Sequence, residues 1–363
     1  MKLAFLSSST GWGGLERNLI RYAQWMDEVG HEVCLYTLHH SPLTSAAERA
    51  GLSIQCIRRQ RRHFPILAAL KLRSQLKKAK IEVLWVRDPR DLDLCSLAVR
   101  GTNTSLLFHQ GMQIPKPKRA PWHRLRYSAV SAWVAPLEQL RFQTLHHTPV
   151  PSKRIHVIPL ALDPDWFETA SLARQDARAH WNLPNDAKVV GLFGRFDALK
   201  GQETLIEALA LPGGENWHAF LIGENTRNQI DNYAGKLRQR CEQLGVSDRV
   251  HWQAPQEDLR SAYDACDAFA MCSASETIGM VTIEALVRGV PVVGTSAGGT
   301  AELLMNGKFG AVFEPGNAEQ LAVRLAQHSQ WPVPPPSYLE HFQKSNAVKK
   351  WSALLHDLRH PVA

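Results

Sequence analysis

Several features are scarce in this 363-residue sequence, and each scarcity removes a class of function. No unbroken run of about 18 apolar residues occurs, so no segment reads as a membrane-spanning helix. The six cysteines (Cys34, Cys56, Cys95, Cys241, Cys266, Cys272) are scattered and form no Cys-x-x-Cys pair. That spacing argues against a disulfide framework or a zinc site, and fits reduced thiols in the cytoplasm. The opening MKLAFLSSSTGWGG has one Lys and a short apolar stretch before a Gly-rich turn. A secretory signal needs a longer apolar region and a cleavage site, so this segment reads as a buried first strand. No short-period repeat is visible, and the only compositionally biased stretch is WPVPPPS at 331–337. No nucleic-acid-binding signature accompanies the net charge of +8.

What is present is an ordinary globular composition, 44% apolar and 21% charged, on a chain long enough for two domains. The charge is lopsided. Residues 1–170 hold 24 Lys+Arg against 13 Asp+Glu, and the remainder 18 against 21, so +11 and −3 sum to +8. The segment Arg58 to Lys80 mixes basic and apolar residues. It fits an anionic membrane surface or a phosphorylated acceptor, and equally a solvated helix face whose Leu and Ile side chains pack inward.

Short apolar runs alternate with helical patterns, which predicts α/β domains with parallel sheets. Strands are expected at 3–7, 32–38, 81–87 and 105–110, with weaker candidates at 133–135 and 155–160. A second series follows at 188–196, 218–224, 249–253, 267–273 and 291–298, with a linker near 161–186. We therefore expect a domain over 1–165, a second over 166–340, and a terminal helix within 341–363 crossing back toward the first. Sheets of this kind bind ligands beyond the carboxyl ends of their strands. Two of them face to face would place the site in the cleft between.

The most informative string is SASETIGMVTIEALVRGVPVVGTSAGGTAEL, Ser273 to Leu303. Gly279, Met280 and Val281 begin a helix there and can offer backbone N–H groups to an anion such as phosphate. Glu284, about one turn into the helix, can accept from vicinal ribose hydroxyls. Glu276 stands where it could grip sugar hydroxyls. Taken alone, the two glutamates could equally be a dipole partner and a surface charge. Upstream, GLFGRFDALKGQETLIEAL (191–209) places Arg195 and Lys200 beyond a predicted strand. Two cations there can neutralise charge building on a departing diphosphate. In GWGGLERNL (11–19), Gly13 and Gly14 let the backbone approach a ligand closely, although the string is not the dinucleotide fingerprint and alone reads as a turn. His109 closes a predicted strand, a position that more often holds a satisfied core or loop histidine.

Together these strings resemble the retaining glycosyltransferases of family 4 (glycosyl transferases group 1), which have the GT-B fold. That family carries, approximately, S-x-x-E-G-F-G-L-x-x-x-E-A-x-A-x-G-x-P-V-V. Ser273, Glu276, Gly279, Met280, Glu284, Ala285, Gly289, Pro291, Val292 and Val293 match it, while Thr277-Ile278 replaces Gly-Phe. Segment 191–209 resembles the family's G-R-x-x-x-x-K-G segment, and Gly13-Gly14-Leu15-Glu16 its G-G-x-E. The matches span roughly 3–315. Departures stand at Glu224-Asn225, Ala254 and Ala161, which leaves the base of the nucleotide open.

The resemblance implies transfer with retention from a nucleotide-diphosphate sugar, UDP-sugar favoured, to a glycan or glycolipid acceptor of the lipopolysaccharide or envelope-polysaccharide kind. No metal and no cofactor are implied: Arg195, Lys200 and the helix start at Gly279 take the place of a cation on the diphosphate. Glu276 orients the sugar, and His109 falls near the reacting centre. The basic loop after His109, with Lys116, Lys118, Arg119, Arg124 and Arg126, falls on the acceptor side. A cytoplasmic enzyme, peripheral on the inner face of a membrane where its basic segment meets lipid, is the expectation. A nucleotide-sugar 2-epimerase, a sugar-phosphate synthase and a catalytically silent sugar-nucleotide binder share the same scaffold and stay open.

Overall fold

The computed structural model describes residues 1–58, 65–118, 120–225 and 232–359. Residues 59–64 of the Arg58–Lys80 stretch and Arg119 of the basic loop lie outside the described residues. The chain divides into two compact units, Met1–Pro159 with Ser345–Ala363, and Leu160–Lys344.

Unit 1 is built on strands β1 (Lys2–Ser7), β2 (Glu32–Leu38), β3 (Ser53–Ile57), β4 (Val83–Val86), β5 (Ser105–His109), β6 (Val130–Ala135) and β7 (Ile155–Val157). They form one seven-stranded sheet, in the order β3-β2-β1-β4-β5-β6-β7. Every pairing is parallel. Central strands such as Val83–Val86 are buried along their whole length, because a parallel sheet covered on both faces leaves neither side of a strand to water. The terminal helix Lys344–Arg359 buries Ala347, Trp351, Leu354 and Leu355. That spacing is one helical stripe, and the stripe belongs to unit 1: the Trp351 ring lies 4.1 Å from that of Trp85.

Unit 2 repeats the plan with β8 (Lys188–Phe193), β9 (Trp217–Ile222), β10 (Val250–Gln253), β11 (Ala268–Met271), β12 (Val292–Thr295) and β13 (Ala311–Phe313). Its six-stranded sheet runs β10-β9-β8-β11-β12-β13, again all parallel. In both sheets the winding reverses once, between β1 and β4 and between β8 and β11. Sheets wound in this way bind ligands beyond the carboxyl ends of the two strands where the winding reverses.

Residues 161–186, expected as a linker, are part of unit 2. Helix Arg174–His180 and the turn after it bury Ala177, Trp181 and Leu183 against Phe193, Phe220 and Tyr263. Two strands absent from the sequence reading, β3 and β13, are both sheet edges. Among the described residues no helix is long and apolar enough to cross a membrane.

Candidate active site

In unit 2 the loops after β8 and β11 are stitched together, and this sets the charged side chains. Gly201 adopts φ +72°, and a side chain there would collide with the Cys272 carbonyl. Only glycine permits both the left-handed turn and the close approach. Next to it, the Ala274 N–H donates to the Leu199 carbonyl (2.9 Å). Lys200 is thereby held against the other loop, its Nζ 2.6 Å from Glu276 Oε2, with both side chains partly exposed. Glu276 is fixed in turn: its carbonyl accepts from Gly299 N–H (2.8 Å), and its carboxylate accepts from Thr277 N–H (3.2 Å) and, at 3.4 Å, from the Ser273 hydroxyl. Arg195 is exposed at the end of β8, and its carbonyl accepts from the Gln202 side chain (2.8 Å).

The loop then turns at Gly279, φ +83°, into helix Met280–Val287. The first amides bonded to Gly279's carbonyl are Thr282 and Ile283. The N–H groups of Gly279, Met280 and Val281 therefore precede the helical ladder and form an anion-favouring end. Glu284, one turn on, accepts from the Tyr263 hydroxyl at Oε2 (2.8 Å). Four residues later Arg288 makes a buried fork with Asp264 (2.8–3.0 Å) and donates to the Thr169 carbonyl (2.7 Å). Burial pushes the Tyr263 phenol well above its ordinary range, and the Glu284 carboxylate adds to this, so Tyr263 stays a neutral donor.

Unit 1 is differently furnished. The Gly13 N–H donates to Glu16 (2.9 Å), so Glu16, matching the motif glutamate, caps its own helix Gly14–Glu28. Gly14 is not demanded by packing, since a Cβ there would meet nothing within 4 Å. At Gly13 a Cβ would meet only the Glu16 carboxylate, at an ordinary 3.5 Å. His109, expected at a sugar, has no exposed surface. Its Nδ1 lies 3.1 Å from an Arg87 guanidinium nitrogen, and its ring sits among Tyr22, Trp85 and Trp351. Burial, reinforced by Arg87, holds its pKa well below the usual histidine range, so the ring is neutral. Arg87 is itself buried at the carboxyl end of β4, and its Nε has no hydrogen-bond partner. Asp91 is buried as well, accepting from the backbone N–H and hydroxyl of Ser8. Desolvation is the larger effect and raises its pKa to about 6. Neighbouring Asp93 pairs with Arg126 (3.2 Å). Among the described residues no three metal-capable side chains converge.

Two family patterns match this chain in succession. The one described as Glycosyltransferase Family 4 covers residues 12–166, and the one described as Glycosyl transferases group 1 covers 173–333. The chain belongs to the group 1 glycosyltransferases. Among curated relatives, the lipopolysaccharide core biosynthesis glycosyltransferase LpsE of Rhizobium meliloti is 38% identical over 151 residues, 41% of this chain and 42% of that one. Such matches span about two-fifths of the relatives' length. Among solved structures, a Rickettsia africae glycosyltransferase superposes with a TM-score of 0.84 at 18% identity, over 99% of each chain. Anabaena HepE in complex with UDP gives 0.84 at 22%, over 98% of this chain and all of that one. At these identities the likeness establishes the fold, which is GT-B.

Of the residues singled out from this glycosyltransferase's sequence, Arg195, Lys200, Glu276, Gly279, Met280, Val281 and Glu284 all lie at the carboxyl ends of β8 and β11 or on the helix that follows. Lys200 and Glu276 touch. Gly13 and Gly14 follow β1, and His109 ends β5, inside the core. Tyr263, Asp264, Arg288, Arg87 and Asp91 went unrecognised. A Tyr-Asp pair on a five-residue helix has no local signal, and its partners sit on and at the end of another helix, Met280–Val287.

Proposed function

We propose that this glycosyltransferase moves a sugar from a nucleoside-diphosphate donor, UDP-sugar favoured, to a glycan or glycolipid hydroxyl with retention of configuration. The observation that carries the reading is the Lys200–Glu276 pair beside the open helix start at Gly279, with Glu284 one turn beyond. In this reading the diphosphate lies on the N–H groups of Gly279, Met280 and Val281, with Arg195 and Lys200 drawn onto its oxygens. Glu284 takes the ribose hydroxyls, and Glu276 the sugar hydroxyls. The bond between the anomeric carbon and the diphosphate breaks with its electron pair on the phosphate oxygen. The acceptor hydroxyl forms the new bond on the same face, and its proton passes to the departing phosphate. Lys200, Arg195 and the helix end meet the charge that develops there, where fixed positive groups lower a barrier most. They supply what a divalent cation would, so neither metal nor cofactor enters the scheme. Gly13 and Gly14 fit close approach of the donor, since little in the protein itself requires them. His109, neutral and beneath Arg87, acts by orienting that guanidinium.

Thermal melts with UDP, GDP, ADP and TDP test this. A ligand at a hundred times its dissociation constant adds about 2.7 kcal/mol. One nucleotide should raise the melting temperature and lose the effect in Glu284→Ala. No response to any of the four removes the donor reading.

The acceptor side favours a lipid surface. Residues 49–81 and 94–137 contain no Asp or Glu but ten and six Lys+Arg. Helices Ile66–Lys78 and Pro121–Ser128 in these segments expose Ile66, Leu67, Leu70, Trp122 and Leu125. Helix Leu92–Val99 ties them into one layer: Arg73 donates to the Leu97 and Ala98 carbonyls (2.7 and 3.1 Å), and Ser96 to the Arg126 carbonyl (2.8 Å). Apolar side chains set among basic residues, in segments with no acidic residue of their own, are the composition of an interfacial anchor. Co-sedimentation with vesicles containing phosphatidylglycerol, but not with phosphatidylcholine alone, is the expected result, and Leu67→Asp with Trp122→Ala should abolish it. Equal recovery with both lipids removes the membrane placement.

A further inference from the structure

We propose that Tyr263 is a positioning residue for ribonucleotide recognition, its hydroxyl holding the Glu284 carboxylate in the orientation that meets the ribose. The proposal rests on the reading of Glu284 as the ribose acceptor. A glutamate side chain has three rotatable bonds, and a partly exposed one on a helix surface samples several rotamers. Here one oxygen is fixed by a 2.8 Å hydrogen bond whose donor has no freedom of its own. The Tyr263 ring is completely buried, in edge or tilted contact with Phe193, Phe269 and Trp166 at 4.9, 5.3 and 5.9 Å. Its hydroxyl also approaches the Val281 carbonyl at 3.3 Å, so the same group touches the first turn of the helix that presents Glu284.

The surrounding structure keeps this contact in register. Tyr263 and Asp264 are consecutive on helix Arg260–Asp264, and their partners Glu284 and Arg288 are four residues apart, on one face of the facing helix. Two adjacent side chains thus grip two successive turns. The Asp264–Arg288 fork is buried and bidentate, the geometry that fixes orientation best. It sets the helix, and Tyr263 then sets the carboxylate on it. The consequence is selectivity for the sugar of the nucleotide: a site built to bond ribose hydroxyls rejects an analogue lacking them, and does so only while its acceptor is held in place.

The test compares UDP with 2′,3′-dideoxy-UDP on the full chain by titration calorimetry. Wild type should prefer UDP. Tyr263→Phe, which keeps the ring and removes only the hydroxyl, should weaken UDP about five- to tenfold and leave the dideoxy nucleotide unchanged. On a Glu284→Ala background the same change should have no further effect on UDP, a readout that survives modest loss of stability. A loss shared equally by both nucleotides gives Tyr263 a structural role only and overturns the proposal. So does a wild-type preference that persists undiminished in Tyr263→Phe. If the wild type binds UDP and its dideoxy analogue alike, the assignment of Glu284 falls first and takes this one with it.

Discussion

The two units share a winding but not a chemistry. Beyond β8 and β11 the charged groups are half-exposed and answer one another: Lys200 meets Glu276, and Tyr263 holds Glu284. At the equivalent place in unit 1, beyond β1 and β4, the loop after β1 carries no charge before Glu16, and apart from the exposed Arg90, which pairs with Asp88, the ionisable groups are submerged. Arg87 leans on a neutral His109, and Asp91 on Ser8. A sheet topology therefore fixes where a ligand lies, while the depth of the side chains at its carboxyl edge decides what they do. Partly exposed, paired charges can exchange a partner for a ligand at little cost. Buried, poorly compensated ones cost stability in every state of the protein.

The largest effect expected from breaking this contrast is structural and confined to unit 2. Arg288→Ala leaves Asp264 charged and buried, which should cost about 3–5 kcal/mol. Denaturant unfolding should show an early transition for unit 2 and an unshifted one for unit 1; a single unshifted transition contradicts it. Next is catalysis. Lys200→Met should lower kcat by roughly a hundred- to a thousandfold, about 2.7–4 kcal/mol of barrier, while melts barely change. Steady-state turnover with a sugar donor built on the nucleotide found in the panel checks it.

Asp91 probes unit 1. Its carboxyl titrates at 3.8 when unfolded and about 6 when folded. The folded state thus binds the proton more tightly, and the protonated form is the more stable. Asp91's contribution to stability should therefore be lost as pH rises from about 4 to about 6, by some 2–3 kcal/mol, with no further change from this group above. The difference between wild type and Asp91→Asn, followed by denaturation across that window, should shrink on acidification; a pH-independent difference refutes the buried-carboxylate account. The smallest effect on folding belongs to Gly14→Ala, within about 0.5 kcal/mol, because the new methyl meets nothing. Its turnover should nevertheless fall tenfold or more, as measured by donor consumption.

Much of this could be read from the residues because the relevant signals are local. The strand at 32–38 reads off its own apolar run, and the pair Glu276 and Glu284 off one continuous string. β3 escaped because an edge strand is half-wet: SIQCI buries none of its five residues fully. β13 has only three residues. Tyr263 and Arg288 escaped for the opposite reason, since each looks like filler until the sheet brings distant loops together. His109 shows a third limit. A strand-end histidine carries no mark of depth, and its burial is set by Trp351, far along the chain.

That last contact has a consequence for how the protein comes into being. Unit 1 closes only with residues 345–359, whereas unit 2 occupies the 185 positions from Leu160 to Lys344 between them. On a ribosome adding roughly 5–20 residues per second, the Tyr22, Trp85 and His109 surface waits about ten to forty seconds for Trp351. During that interval the second half of the molecule can finish folding while the first is still open. The order of birth is the reverse of the order of completion, and this aromatic surface is where a chaperone would have most to protect.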